Sequence, residues 1–164
     1  MNYLATTDYL TYGLNATTDP SWITAASIVA YAGDVDRFET VASFWHYFGQ
    51  HVIDGHAPKR KAGSPVTWSP KGRTAVYLMG DSIIKNRNNK WRAFYDEALA
   101  TEKETHEVKH PGCKTPLGHC GARARRRMVK EILKQFFLAV KGEEIRDGHV
   151  TGENHRTLAV ANAG

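Results

Sequence analysis

The sequence predicts a mainly helical protein, in which a helical hairpin is followed by a small helical bundle with a basic loop at residues 56–68. Apolar residues recur at helical spacing in several segments, most clearly over residues 128–140. Helix start and stop signals bound these segments, such as Ser69-Pro70 at a start and Gly142 at an end. Alternation that favours a strand is short, at residues 50–53 before Asp54-Gly55, which leaves room for one short β-hairpin.

The helical hairpin is predicted to begin after a polar, Thr-rich segment, residues 1–19, that we expect to be flexible. Small apolar residues from Ile23 to Tyr31 favour a first helix that Gly33 closes. A turn follows at residues 34–36, and aromatic residues from Phe38 to Phe48 favour a second helix. The hairpin could offer backbone amides to DNA phosphates, or it could be purely structural.

The bundle is predicted from three further helices. The first runs from Ser69-Pro70 to about Ile84 and buries Val76, Leu78, Met79 and Ile83. Residues 86–89 end this helix, and the next helix turns Trp91, Phe94, Tyr95 and Leu99 inward. A loop at 109–121 leads to the last helix, whose apolar stripe is Met128, Val129, Ile132, Leu133, Phe136, Phe137 and Val140. Residues 20–141 should thus form one domain, with a disordered tail at 142–164.

Composition limits the class of protein. The 164 residues suffice for one domain with a real core. No apolar run approaches the ~20 residues of a membrane span, and the N-terminus lacks a signal-peptide pattern. The two cysteines are too few for a disulfide framework. We therefore expect a soluble, cytoplasmic protein with no membrane partner.

Charge is strongly segregated along the chain. Residues 1–57 hold six acids and one base, whereas residues 58–92 hold nine bases and one acid, Asp81. From Arg123 to Lys141 there are seven bases and one acid, Glu131. Such separation is typical of a face that binds a polyanion, although Lys and Arg can also simply solvate helix faces.

Five ordered motifs resemble a known family. They are AYAGDVDRF, FGQHVIDGHAPKRKAG, WSPKGRTAVYLMGDSIIK, RAFYDE, and a His-Pro and Gly-His loop that leads to ARARRRMVKEILKQFFLAV. Together, over about residues 20–141, they resemble the C-terminal transposase domain of RNA-guided insertion-sequence recombinases, the IS one-ten and IS nine-oh-two type. The resemblance implies a helix-hairpin-helix-like unit, DNA transposition by strand exchange, and a nucleoid-associated prokaryotic protein. It also implies DNA as a partner, together with guide RNA and either self-association or a full-length transposase.

Family members pair this domain with a nuclease-like domain whose acidic residues bind divalent metal. That acidic set is missing from the present sequence, so we expect no cofactor in this chain and no metal-dependent step by this chain alone. The resemblance also implies a serine nucleophile in the basic loop. Ser64 is the nearest match, although Pro65 follows it where relatives carry glycines, and Ser82 is a second candidate. The alternative is that no serine here is a nucleophile.

The charge pattern and the resemblance together nominate a set of DNA-binding residues: Lys59, Arg60, Lys61, Trp68, Lys71, Arg73, Lys85, Arg87, Arg123, Arg126, Arg127 and Lys130. Trp68 either stacks on a base or belongs to the core. Four residues of one loop could also bind zinc: His110, Cys113, His119 and Cys120. Adjacent ligands are awkward for a tetrahedral site, so unliganded residues are the preferred interpretation.

Three functional hypotheses follow from these observations. The leading one is a transposase domain that binds DNA, either as a fragment or as a stand-alone protein. The second is a catalytically inactive nucleic-acid-binding module derived from such a transposase. The third is a small interaction domain stabilised by zinc.

Overall fold

The computed structural model describes residues 20–85, 90–109, 111 and 116–142. Within these residues the chain forms α1 (Pro20–Ala32), α2 (Val41–Tyr47), α3 (Pro70–Lys85), α4 (Lys90–Lys109) and α5 (Pro116–Lys141), and a short 3-10 helix (Val35–Arg37) joins α1 to α2. The predicted mainly helical class is confirmed. The predicted flexible segment 1–19 lies outside the described residues, and so does the predicted tail 142–164 except for Gly142.

The N-terminal hairpin forms because capping residues mark each of its turns. Gly33 adopts a positive φ of 60° beyond the end of α1, and its N–H donates to Val29 O at 3.0 Å. Thr40 then starts α2 with a reciprocal capping box, in which its hydroxyl accepts from Ser43 N at 3.2 Å. Phe38 is therefore extended rather than helical, and the second arm begins at Val41, later than predicted.

A tight turn takes the place of the short β-hairpin. Asp54 and Gly55 have φ values of 50° and 77°, as a type I′ turn requires. Ile53 and His56 exchange both backbone hydrogen bonds at 2.9 Å and form one isolated antiparallel bridge. Within the described part of the chain no strand extends from this bridge, so residues 50–53 are not a strand.

The core lies between the hairpin and the long helix α5. Phe44 of α2 is fully buried, and its ring centroid lies 5.1 Å from that of Phe48 and 5.9 Å from that of Phe136. The apolar stripe predicted for the last helix is buried from Met128 to Phe137. Helix α5 also packs against α4 and α3, whereas α1 packs against α3.

Helix α3 begins as predicted but buries a different set of side chains. The hydroxyl of Ser69 accepts from Gly72 N at 3.0 Å, which caps the helix. Val76, Met79 and Ile83 are buried, whereas the prediction for Leu78 is wrong, since its side chain is 54% exposed. Leu78 lies at the edge of a groove between α1 and α3 that neither helix covers.

The remaining helices differ from the predictions in smaller ways. Trp91 of α4 is buried, while Phe94, Tyr95 and Leu99 are only partly buried. Helix α5 begins at Pro116, so part of the loop expected at 109–121 is helical. None of the described helices combines the length and the apolar character that crossing a bilayer needs.

Candidate nucleic-acid interface

Three arginines meet in a small pocket between α3 and α5. The pocket has a volume of about 180 Å³. Its lining residues are Gly49, Gln50, Arg73, Val76, Tyr77, Ala122, Arg125, Arg126 and Val129. Among these residues none carries a carboxylate. We call this site the arginine pocket.

Close approach of backbone and helices positions the arginines. Gly49 has a φ of 64°, and a Cβ atom there would lie 2.9 Å from the side chain of Arg73, so only glycine fits the site. Gly80 lets α3 approach α5, since a Cβ atom at this position would lie 2.9 Å from Val129. Arg73 also donates from its guanidinium to Pro58 O at 2.9 Å, which fixes the start of the basic loop beside the pocket.

The positive charge in the pocket is concentrated rather than neutralised. Burial lowers the pKa of the Arg126 guanidinium, and neighbouring arginines lower it further, in the order Arg73, Arg125 and Arg123. Burial and the charge of Arg126 likewise lower the pKa of Lys130, one turn along α5. Both shifts mean that the charged forms are held without full compensation. A site of this kind favours binding of an anion.

Aromatic rings, rather than acids, lie against Arg73 and Arg125 of the arginine pocket and against the neighbouring Lys130 among the described residues. The ammonium of Lys130 lies 4.0 Å from the ring centroid of Trp45, and the guanidinium carbon of Arg125 lies 4.0 Å from that of Tyr77. The guanidinium carbon of Arg73 is 5.5 Å from the ring centroid of Trp68. These contacts orient the cations without cancelling their charge.

Two histidines complete the surroundings of Arg73. The rings of His46 and His51 stack with centroids 4.0 Å apart, and the ring of His51 lies 5.7 Å from that of Trp68. Burial lowers the pKa of His51, and the charges of His46, Arg73 and Arg126 lower it further. The Nδ1 atom of His51 is buried without a hydrogen-bond partner among the described residues.

The structure brings together four of the nominated DNA-binding residues. Arg73 and Arg126 line the arginine pocket, and Trp68 and Lys130 lie beside them. The side chains of Lys59, Arg60 and Lys61 are exposed on the loop that follows Pro58.

The other nominated cations that the structure describes on the helices lie apart from the pocket or are paired with acids. Arg123 and Arg127 both reach Glu102 of α4, at 3.8 and 3.6 Å. Lys85 pairs with Asp81 at 2.7 Å. Lys71 lines the groove between α1 and α3, and Arg87 lies outside the described residues.

Neither nominated serine lines the arginine pocket. Ser64 is exposed in a loop turn, where its N–H donates to Lys61 O at 3.3 Å. Ser82 is exposed on α3 one turn beyond Leu78, on the side of the helix away from the pocket.

The suggested zinc ligands do not converge where the structure describes them. His119 is exposed, whereas Cys120 is buried and its thiol donates to Glu102 O at 3.5 Å. His110 and Cys113 lie outside the described residues. Among the described residues no group of three or more His, Cys, Asp or Glu side chains could hold a metal ion.

Sequence reasoning missed four residues of this face: Arg125, Tyr77, His46 and His51. A helical spacing signal existed for the first two, because Arg125 precedes buried Val129 by one turn and Tyr77 follows Arg73 by one turn. The histidines gave no such signal, since they meet only because the chain reverses after α2.

No family model, curated protein or solved structure matches the chain. The likeness to insertion-sequence transposases therefore stays a prediction from the sequence motifs, and a functional proposal has to rest on the geometry of the arginine pocket.

Proposed function

We propose that this chain binds the sugar–phosphate backbone of DNA through the arginine pocket, as the DNA-binding transposase domain of an insertion-sequence recombinase. The observation that carries the proposal is the meeting of Arg73, Arg125 and Arg126 in one pocket whose described lining residues include no carboxylate. The main proposed partner is DNA. Guide RNA and a full-length transposase are further proposed partners, and only the sequence motifs support these two.

Guanidinium groups suit this role because their planar donors match the oxygens of a phosphodiester. Phosphate contacts give sequence-independent affinity and position a protein on its nucleic acid. The exposed cations of the basic loop, Lys59, Arg60 and Lys61, extend the positive surface from Pro58, which Arg73 holds beside the pocket. Lys130 lies one turn from Arg126 along α5 and feels its charge, so it continues the positive surface.

A titration of labelled duplex DNA with the full chain, at several salt concentrations, tests the proposal. If four to seven phosphates contact these cations, the log–log slope of affinity against salt should be about −4 to −6, since each contact contributes about −0.9. A slope near zero, or no binding of either duplex or single-stranded DNA at low salt, would overturn the proposal.

Catalysis by Ser64 is a separate proposal that needs its own test. The nucleophile of a serine recombinase has to lie near groups that stabilise charge on the phosphate, and Ser64 is exposed in the loop that begins beside Arg73. The Ser64 hydroxyl would replace a deoxyribose oxygen on a DNA phosphate and release a cut end with a free hydroxyl. In a mixture with donor DNA, guide RNA and a full-length partner, wild-type protein should therefore form a covalent protein–DNA species that Ser64→Ala abolishes. If the wild-type chain forms none, a binding module without catalytic activity is the better description.

A further inference from the structure

We propose that the arginine pocket takes one phosphate group of an unpaired nucleotide in single-stranded DNA, and that Tyr77 and Trp68 stack on its bases. This inference rests on the proposed function and narrows its substrate class. It is carried by the recessed shape of the pocket and by the partly exposed aromatic rings beside it.

The pocket is small, and its walls are recessed. Its volume of about 180 Å³ is far above the ~10–15 Å³ that a cavity needs to hold one water, so it has room for one phosphate group. Gly49, Gln50, Val76 and Val129 are buried walls, and Arg126 is half-buried, so its guanidinium does not project onto an open surface. A phosphate on a flexible single strand can enter such a recess more readily than one on the rigid backbone of a duplex.

Aromatic rings lie next to the arginines and remain accessible. Tyr77 is 51% exposed even though it lines the pocket, and the guanidinium of Arg125 lies against its ring. Trp68 is partly exposed and lies against Arg73. Bases in a duplex already stack on one another, so only an unpaired base can stack on these rings.

This combination distinguishes the pocket from a general basic surface. Lys85 and Arg123 are also exposed cations, but each contacts a carboxylate. Leu78, the neighbour of Tyr77, is equally exposed at 54%, yet it faces the groove beside α1 instead of the arginines. Cations beside exposed rings, without acids, are the arrangement that single-strand-binding surfaces use.

The test compares single-stranded and duplex DNA of the same length at one salt concentration, using fluorescence anisotropy with the full chain. Tyr77→Ala should weaken binding of an oligo-dT strand about fivefold to tenfold, with less than a twofold effect on the duplex. Tyr77→Phe should bind like the wild type because it keeps the ring. Leu78→Ala is the matched control, and it should leave both affinities unchanged.

Two results would overturn the inference. One is an oligo-dT affinity that Tyr77→Ala leaves within twofold of the wild type, and the other is an equal loss on both DNA forms. In either case a steep salt dependence of duplex binding would still support the proposed function. If neither DNA form binds in a salt-dependent manner, both proposals fail. Unfolding curves of the three variants show whether any of them has lost its structure. A binding loss in Tyr77→Ala counts only if this variant unfolds like Tyr77→Phe.

Discussion

Replacing Arg126 with methionine should stabilise the protein while it weakens the proposed DNA binding. Arg126 is half-buried between α3 and α5, with Arg73 and Arg125 beside it and no carboxylate in contact among the described residues. Methionine keeps an unbranched apolar side chain that replaces the stem of the arginine, and it lacks the charged guanidinium. The substitution therefore relieves repulsion and desolvation without opening a cavity.

The size of the effect follows from the neighbours of Arg126. Arg73 and Arg125 are the cations that act on it most strongly. A partly exposed charge pair contributes about 0.2–1 kcal/mol, so these two arginines together repel Arg126 by about 0.5–2 kcal/mol. A gain near 1 kcal/mol, with a denaturant dependence of about 2 kcal/mol per molar, raises the urea midpoint by about 0.5 M. Urea is the suitable denaturant because guanidinium chloride would itself screen the repulsion.

The matched control is Arg123→Met on the same helix. Arg123 lies 3.8 Å from Glu102, so its removal should leave stability unchanged or lower it by up to about 1 kcal/mol. The two variants remove the same charge, and only the local environment differs. The reasoning is refuted if Arg126→Met lowers the urea midpoint, or if it raises the midpoint no more than Arg123→Met does.

Three further predictions follow from other parts of the fold. Gly80→Ala should destabilise the protein by about 1–3 kcal/mol in urea unfolding, because its Cβ atom would lie 2.9 Å from a side chain of α5. The control Gly118→Ala places a Cβ atom that meets nothing within 4 Å, so it should be neutral or stabilising by up to about 1 kcal/mol. Equal effects of the two substitutions would contradict this prediction. The folded state holds the pKa of His51 below its ordinary value of 6.5, chiefly through burial, so the unfolded chain binds more protons and stability should fall as the pH drops through 6.5. His51→Asn should flatten that fall, and a pH profile of this variant identical to that of the wild type would argue against it. Cys120 is buried against a backbone carbonyl, so elemental analysis should find far less than one zinc per chain, and a ratio near one would revive the zinc-stabilised alternative.

The helices were predictable because their signals are local. The N-cap Ser69 and the apolar stripe of α5 depend only on spacing along the chain, and both hold in the structure. Leu78 shows where such signals end. Leu78 is an apolar residue of a helix and was predicted to be buried. Whether another helix covers its side chain depends on the path of α1, and the groove between α1 and α3 leaves it exposed.

The candidate site was predictable only in outline. Charge segregation indicated a positive face, but a count of charges could not show that Glu102 of α4 reaches Arg123 while Arg126 has no such partner among the described residues. That difference depends on how α4 packs along α5. The stacking of His46 on His51 depends in the same way on the reversal of the chain after α2.

The central claim is that the unpaired arginines of the pocket bind a phosphate, and its most direct test compares the DNA affinities of Arg126→Gln and Arg123→Gln. Both variants lose one positive charge from α5, so a general electrostatic attraction would affect them alike. If Arg126 contacts a phosphate, Arg126→Gln should lower the affinity about tenfold or more and make the salt slope shallower by about one. Arg123→Gln, whose arginine is already paired with Glu102, should lose no more than about twofold. Equal losses in the two variants would contradict the account.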